Sequence, residues 1–210
     1  MSGPGRELVA LVLAAGRARR MGSPKQLADL GGRPLLEHVL AAMAASPADR
    51  VVVALGAAAD RVLASVPLHG AEPMRSTRWP EGMGAVLAEA ASALRETGTC
   101  AGLVVALGDQ PLVTPAVVAR LADAWRDGAG PVVSAAYDGR PGNPKLFDAA
   151  LLGELAGLDG DTGARELLAA HPGWTHLVET GPLGSDLDVD DEAGLAEVRR
   201  LVAAQRAAAR

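Results

Sequence analysis

Apolar residues along the chain follow two alternating patterns. Short unbroken runs rich in Val and Leu, ELVALVL (7–13), RVVVAL (50–55), GLVVAL (102–107) and GPVVSAA (130–136), read as buried strands. Between them the apolar spacing becomes helical. PLLEHVLAAM (34–43) sets Leu36, Val39, Leu40 and Met43 on one face, with Pro34 suited to a first turn. MGAVLAEAASAL (83–94) reads as a second helix. TPAVVARLADAW (114–125) is a third, with Thr114 as N-cap, Pro115 at the first position and Val118, Leu121 and Trp125 on one face. Further helices are expected near 148–157 and 162–170, a strand near 174–178, and a last helix from about 191. Strands alternating with helices imply βαβ units and a largely parallel sheet. Ligands of such sheets sit beyond the carboxyl ends of the strands, near the point where strand order reverses. There is no internal repeat, low-complexity tract or long linker. The simplest organisation of the 210 residues is one domain, 1–210, with its core at about 7–204.

Composition narrows the class. Apolar residues make up 49% of the chain but only five are aromatic, so the core must be Ala, Val and Leu. A net charge of −5 argues against a nucleic-acid binder, which needs a basic face, and the few aromatics leave no stacking platform for single strands. The lone Cys100 excludes an internal disulfide, fits a reducing compartment, and reads as a small buried hydrophobe. The apolar run 8–15 loosely imitates a signal core. It is short, however, Glu7 interrupts its lead-in and the arginines follow rather than precede it. No segment has the 18 or more apolar residues of a membrane helix, so a cytoplasmic location away from membranes is expected.

Two segments carry candidate chemistry. LVLAAGRARRMGSPKQL (11–27) leaves the first strand through Ala14, Ala15 and Gly16, small enough for close backbone approach, and then supplies Arg17, Arg19, Arg20 and Lys25 with no acid among them. It is neither a Walker loop nor GxGxxG. It reads either as a solvated basic loop or as a cradle for a polyphosphate, which needs backbone N–H groups, forked guanidinium groups and a point-charge ammonium. LVVALGDQPLV (103–113) runs a strand into Gly108–Asp109; the Asp either caps a turn or meets a hard cation at the strand end. Near the end, SDLDVDDE (185–192) holds five acids in eight residues. Asp186 and Asp188 share a face if the segment is extended, and Asp188 is a metal-ligand candidate. Asp190, Asp191 and Glu192 are expected to cap the last helix.

LAAGRARRMGSPK resembles the LAAGxSxRMGxxK signature of the nucleotidyltransferases that modify the molybdenum cofactor. GDQPLVTP matches the metal-binding strand end of the molybdenum cofactor cytidylyltransferases. GDTGAR (160–165) and DLDVDDE resemble that family's later motifs, in the right order. The resemblance runs from residue 7 to about 200. It implies a Rossmann-like three-layer αβα sandwich of nucleotidyltransferase type, and Mg²⁺-dependent transfer of CMP from CTP to the phosphate of molybdopterin with release of pyrophosphate. It also implies site residues. Leu13, Ala14, Ala15, Gly16, Gly82 and Gly108 would line the nucleotide, Arg20 and Lys25 would hold its phosphates, and Asp109 and Asp188 would bind Mg²⁺. By the same resemblance Arg20, Lys25 and Asp109 would be the catalytic set, and Gln110, Asn143, Lys145 and Arg165 would face the acceptor. Ala-Ala-Gly and Gly-Asp-Gln-Pro are the forms that resemble CTP-using members.

The departures fall away from the phosphate loop. Ala18 stands where Ser or Gly is usual, and Ser76 where Asn is expected three residues before Trp79. Gly84, Ala85 and Val86 replace serines. GNPKLF (142–147) stands where the family reads G-H-P-V-L-F, so Asn143 keeps a polar handle while Lys145 adds a charge. Trp79 either shapes the pocket or packs a hinge. His38, His69, His171 and His176 show no metal spacing and read as structural or exposed. These changes keep other functions open: another phosphorylated acceptor such as a sugar 1-phosphate, another nucleotide, a non-catalytic carrier handing the cofactor to a client molybdoenzyme, or a nicotinamide-dependent oxidoreductase on the same scaffold.

Overall fold

A computed structural model describes residues 6–16 and 24–208. The elements are β1 Glu7–Ala14, α1 Leu35–Ala44, β2 Arg50–Leu55, α2 Ala59–Ser65, β3 Glu72–Arg75, α3 Met83–Thr97 and β4 Cys100–Leu107. They continue with α4 Pro115–Arg126, β5 Val132–Tyr137, β6 Arg140–Asp148, α5 Leu152–Ala156, α6 Arg165–Ala170, β7 Thr175–Glu179 and α7 Glu192–Ala208. The strands form one sheet in the order β3-β2-β1-β4-β6-β5-β7. β6 alone runs against its neighbours, β4 and β5; the other pairs are parallel.

Burial explains why the central strands are continuous apolar runs. Leu8, Ala10, Val12 and Ala14 of β1 pack on one face with Leu36, Val39 and Leu40 of α1 and Val117, Val118 and Leu121 of α4. Val9 and Leu11 pack on the other face with Val86, Leu87, Ala90 and Leu94 of α3 and Leu152 and Leu155 of α5. A strand covered on both faces has no place for a polar alternation. The three-layer α/β architecture expected from the sequence is therefore the one observed. A third apolar cluster lies beside it, where Val189, Leu195 and Val198 meet Leu30, Leu35 and Leu112. Among the described residues no helix is long and apolar enough to cross a membrane.

Three elements were not expected from the pattern: α2, β3 and β6. β3 is a four-residue polar edge strand, and β6, RPGNPKLFD, carries two prolines and a glycine. Thr114 does precede α4, but its hydroxyl donates to the Leu183 carbonyl (2.7 Å) instead of capping the helix. Cys100 is buried as expected, and burial pushes its thiol up to about 11.

Candidate active site

β1 and β4 are adjacent and parallel, and the chain leaves β1 for β2 on one side while β4 lies on the other. Their carboxyl ends therefore bound the crevice where a doubly wound sheet receives ligands. A cleft of about 470 Å³ opens there, floored by Leu13, Ala14, Ala15, Gly16, Leu107 and Gly108. Gly108 donates its N–H to the Leu13 carbonyl (2.9 Å), and a Cβ on it would stand 2.9 Å from the Ala14 Cβ. The two strand ends thus close on each other only because residue 108 has no side chain. Gln26, buried, donates its amide to the Ala14 carbonyl (2.8 Å) and tethers the far end of the basic loop to this floor.

Lys25 and Asp109, 84 residues apart in sequence, meet at the mouth of the cleft: Nζ lies 2.5 Å from Asp109 Oδ2 and 3.1 Å from Asp190 Oδ1. Burial alone would lower the Lys25 pKa; the charges and hydrogen bonds of Asp109 and Asp190 outweigh it and raise the value, so the ammonium is held charged. Asp190 therefore pairs with Lys25 at the cleft mouth rather than capping the helix. Capping falls to Asp191, whose carboxylate accepts the Gly194 N–H at 2.9 Å.

Asp188 joins the cluster through Gln110, which is only 3% exposed. The Gln110 amide nitrogen donates to the Asp186 carbonyl (2.9 Å) and to Asp188 Oδ1 (2.7 Å). Gln110, expected to face an acceptor, is buried here and ties the acidic segment to the end of β4. Val189, fully buried, anchors the same segment, and its N–H donates to the Asp109 carbonyl at 3.0 Å. Alternate residues around that anchor, Asp188 and Asp190, are thereby brought to the strand end.

The donor set suits a divalent cation. Burial raises the Asp188 pKa; Gln110 opposes this, and the neighbouring charges of Asp109 and Asp190 raise it further. Carboxylates that repel one another, with Lys25 the one cation paired to them among the described residues, favour a further cation. Among the described residues no three His, Cys, Asp or Glu side chains form a ready-made cage. Asp109 and Asp188 are two carboxylates at one strand end, and one or two carboxylates are the number with which a divalent ion is commonly held when phosphates and water complete its shell.

The opposite wall is Trp79, Pro80, Glu81, Gly82 and Met83, with Asp161 at its rim. Its hub is Glu89, which sequence reasoning missed, although it is the single charge in the apolar run 83–94. Its carboxylate accepts Ser76 Oγ (2.5 Å), the Thr77 N–H (3.1 Å) and Thr77 Oγ1 (2.8 Å), which fixes the turn leading to Trp79. Ser76, a departure from the family pattern, is thus a buried partner of Glu89. Arg78 then bridges Glu81 (2.7 Å) and Asp159 (3.2 Å), tying this wall to the 159–161 loop. That loop covers the start of α3: the Gly160 carbonyl accepts the Gly84 N–H (2.8 Å), and Asp161 Oδ1 accepts that of Met83 (3.2 Å). Gly82 has φ 122°, and a Cβ there would sit 2.5 Å from the Gly160 oxygen.

Of the residues singled out in sequence, Leu13, Ala14, Ala15, Gly16, Lys25, Gly82, Gly108 and Asp109 all border this one cleft. Asn143 and Lys145 lie on β6, beside β4, and Arg165 begins α6. Arg17, Arg19 and Arg20 lie outside the described residues. The histidines are scattered: His38 bonds the Leu30 carbonyl, His69 faces Glu37, His171 stacks on Trp174 and His176 is on the edge strand.

Residues 10–175 match the MobA-like NTP transferase domain. Nicotine blue oxidoreductase of Paenarthrobacter nicotinovorans is 34% identical over 190 residues, covering 86% of this chain and 90% of that protein. The crystal structure of Rv0371c from Mycobacterium tuberculosis H37Rv superposes with a TM-score of 0.80 at 29% identity, over 93% of this chain and 99% of that one. A manganese complex of Rv0371c superposes at 0.73 with 28% identity, over 92% and 98% of the two chains. With a cleft at the β1/β4 switch point and a domain match over most of its length, the chain belongs to the MobA-like NTP transferase family, a nucleotidyltransferase type of α/β fold.

Proposed function

We propose that the cleft binds CTP with Mg²⁺ and transfers its CMP to the terminal phosphate of molybdopterin, releasing pyrophosphate. The observation that carries this reading is the meeting of Lys25 with Asp109 and Asp190 at the open ends of β1 and β4. In the reaction an acceptor phosphate oxygen bonds to the α-phosphorus as the bond from that phosphorus to the β-phosphate bridging oxygen breaks. The acceptor is already an anion, so no general base is needed; the barrier is bringing two anions together in line. Lys25 neutralises the triphosphate, and Ala14, Ala15 and Gly16 let the backbone approach it. A Mg²⁺ ion held by Asp109 and Asp188 would supply charge neutralisation and Lewis-acid polarisation. Gln110 and Val189 keep Asp188 and Asp190 in place, and Trp79 and Gly82 face the nucleoside side. Arg20 would add a second cation to the triphosphate.

Incubation with Mg²⁺, each nucleoside triphosphate and candidate acceptors tests this. Pyrophosphate should appear with CTP and molybdopterin; release only with a sugar 1-phosphate or another nucleotide would reassign the substrates. Absence of release with any pair would end the transferase reading. The oxidoreductase name of the P. nicotinovorans relative favours a second reading, nicotinamide-dependent reduction, with the dinucleotide pyrophosphate in the same cleft. Oxidation of NADH or NADPH without pyrophosphate release would select it.

A further inference from the structure

A second cavity, of about 700 Å³, lies at the opposite end of the sheet from the cleft, where β4 begins and the chain enters β1. Its volume falls within the roughly 300–1,000 Å³ of small-molecule sites. Arg6, just before β1, and Arg95, in the last turn of α3, both line it. Leu94, Cys100 and Leu152, all buried, give it an apolar floor, and Trp125 and Asp148 also border it. Arg95 leans over α5: its Nη1 lies 3.8 Å from where a Cβ on Gly153, next to Leu152, would stand.

The groups that could answer these two guanidinium groups are engaged elsewhere. Among the described residues Asp148 is the one acid bordering the cavity. Its Oδ2 accepts Trp125 Nε1 (3.0 Å) and its Oδ1 the Ala150 N–H (2.9 Å). Glu7 pairs with Arg50 of β2 (3.6 Å) rather than with its neighbour Arg6. At the end of α3 the Leu94 carbonyl accepts Thr97 Oγ1 (2.8 Å) and the Arg95 carbonyl accepts the Gly98 N–H (3.3 Å). Neither Arg6 nor Arg95 forms an ion pair or side-chain hydrogen bond with another described residue. In a chain of net charge −5, the wall of this cavity therefore carries one positive charge in excess and two forked donors without acceptors.

Trp125 adds a rigid apolar surface. A Cβ on Gly102 would stand 3.1 Å from its Cη2 and Cζ2, and its N–H is already bonded to Asp148, so only the ring is available. We propose that this cavity is a second small-molecule site that takes an anionic group carried on an apolar, ring-sized body. Arg6 and Arg95 hold the anion, and Leu94, Leu152 and Trp125 hold the body. The site is separate from the cleft: α3, whose Met83 and Val86 line the cleft, is ~22 Å long at 1.5 Å per residue. The assignment does not depend on which reaction the cleft performs.

Titrating the full chain with anilinonaphthalene sulfonate, and with phenylnaphthylamine, the same rings without the anion, tests the site. Trp125 emission, read in a Trp79→Phe, Trp174→Phe background, reports occupancy of this cavity. The sulfonate should quench it saturably, one molecule per chain, and the amine should bind at least tenfold more weakly. Arg6→Gln and Arg95→Gln should each weaken the sulfonate about tenfold with Tm unchanged, and Arg95→Lys should recover part of that loss. CTP with Mg²⁺ should leave the bound sulfonate in place. A Trp125 signal that ignores the sulfonate, binding that ignores either arginine substitution, or displacement by CTP overturns the site. Equal binding of the amine overturns the anion assignment.

Discussion

Replacing Gln110 by leucine removes two hydrogen bonds and one orphaned acceptor in a single step. The amide nitrogen serves the Asp186 carbonyl and the Asp188 carboxylate, whereas the buried Oε1 has no partner among the described residues. Losing a bond to a charged acceptor costs about 1.5–3 kcal/mol and one to a carbonyl about 0.5–1.5 kcal/mol, while removing an unsatisfied buried oxygen returns about 1–3 kcal/mol. Leucine keeps the volume and suits the neighbouring Leu112 and Val113. The net loss is therefore about 1 kcal/mol, a fall in Tm of about 2–4 °C for a chain of this length. The effect on the site is larger. Freed from Gln110, the Asp188 carboxylate loses its orientation, and outer-shell partners of metal ligands are typically worth about 10- to 100-fold in metal affinity or activity. Thermal denaturation combined with a Mn²⁺ titration of binding and turnover separates the two effects. A Tm fall beyond about 10 °C with unaltered Mn²⁺ affinity would make Gln110 a structural residue and refute its positioning role.

Asp109→Ala should abolish pyrophosphate release with a Tm near wild type, because Lys25 keeps Asp190 and a partly exposed pair is worth about 1 kcal/mol or less; retained turnover would remove Asp109 from the site. Lys25→Met should raise the KM for the triphosphate about tenfold or more, the worth of one charged hydrogen bond, and an unchanged KM would exclude the contact. Gly82→Ala forces a side chain into a positive-φ backbone and against the Gly160 carbonyl, costing about 1–3 kcal/mol; calorimetry showing no loss would contradict that packing. Burial would raise the Glu89 carboxyl, but hydrogen bonds from Ser76 and Thr77 bring it below the ordinary carboxylate range. Its stabilisation of the Trp79 wall is then complete above that range and lost as pH falls through the folded value. Trp79 fluorescence, read in a Trp125→Phe, Trp174→Phe background, should show this acid transition, and Glu89→Gln should remove it; a transition persisting in that variant would place its origin elsewhere.

The sequence was most readable where burial dictates one pattern. β1, β2 and β4 are covered on both faces, so each is an apolar run that admits no other reading, and α1 and α4 carry their buried faces at helical spacing. Lys25 and Asp109 could be paired in advance because adjacent parallel strands deliver their exits to the same crevice. β6 was hidden by Pro141, Gly142, Asn143 and Pro144, residues that ordinarily end strands, here carried at the end of the strand where pairing with β4 stops. Asp190 was misplaced because an acid before a helix looks like a cap, and only the distant Lys25 shows otherwise. Glu89 gave a compositional signal, but its partners lie on a loop that no local pattern connects to it.

Val189 is the apolar residue between two site acids, and it is buried with Leu195 and Val198 of α7 rather than with the cleft. The final helix is therefore a mechanical part of the candidate site: it clamps the short span from which Asp188 and Asp190 project. Prying α7 away, by Val189→Asp or by a ligand wedged beneath Leu195, would swing both carboxylates out of reach without touching any group that meets substrate. A helix whose described residues contribute nothing to the cleft lining thereby holds a lever on the two acids at its mouth.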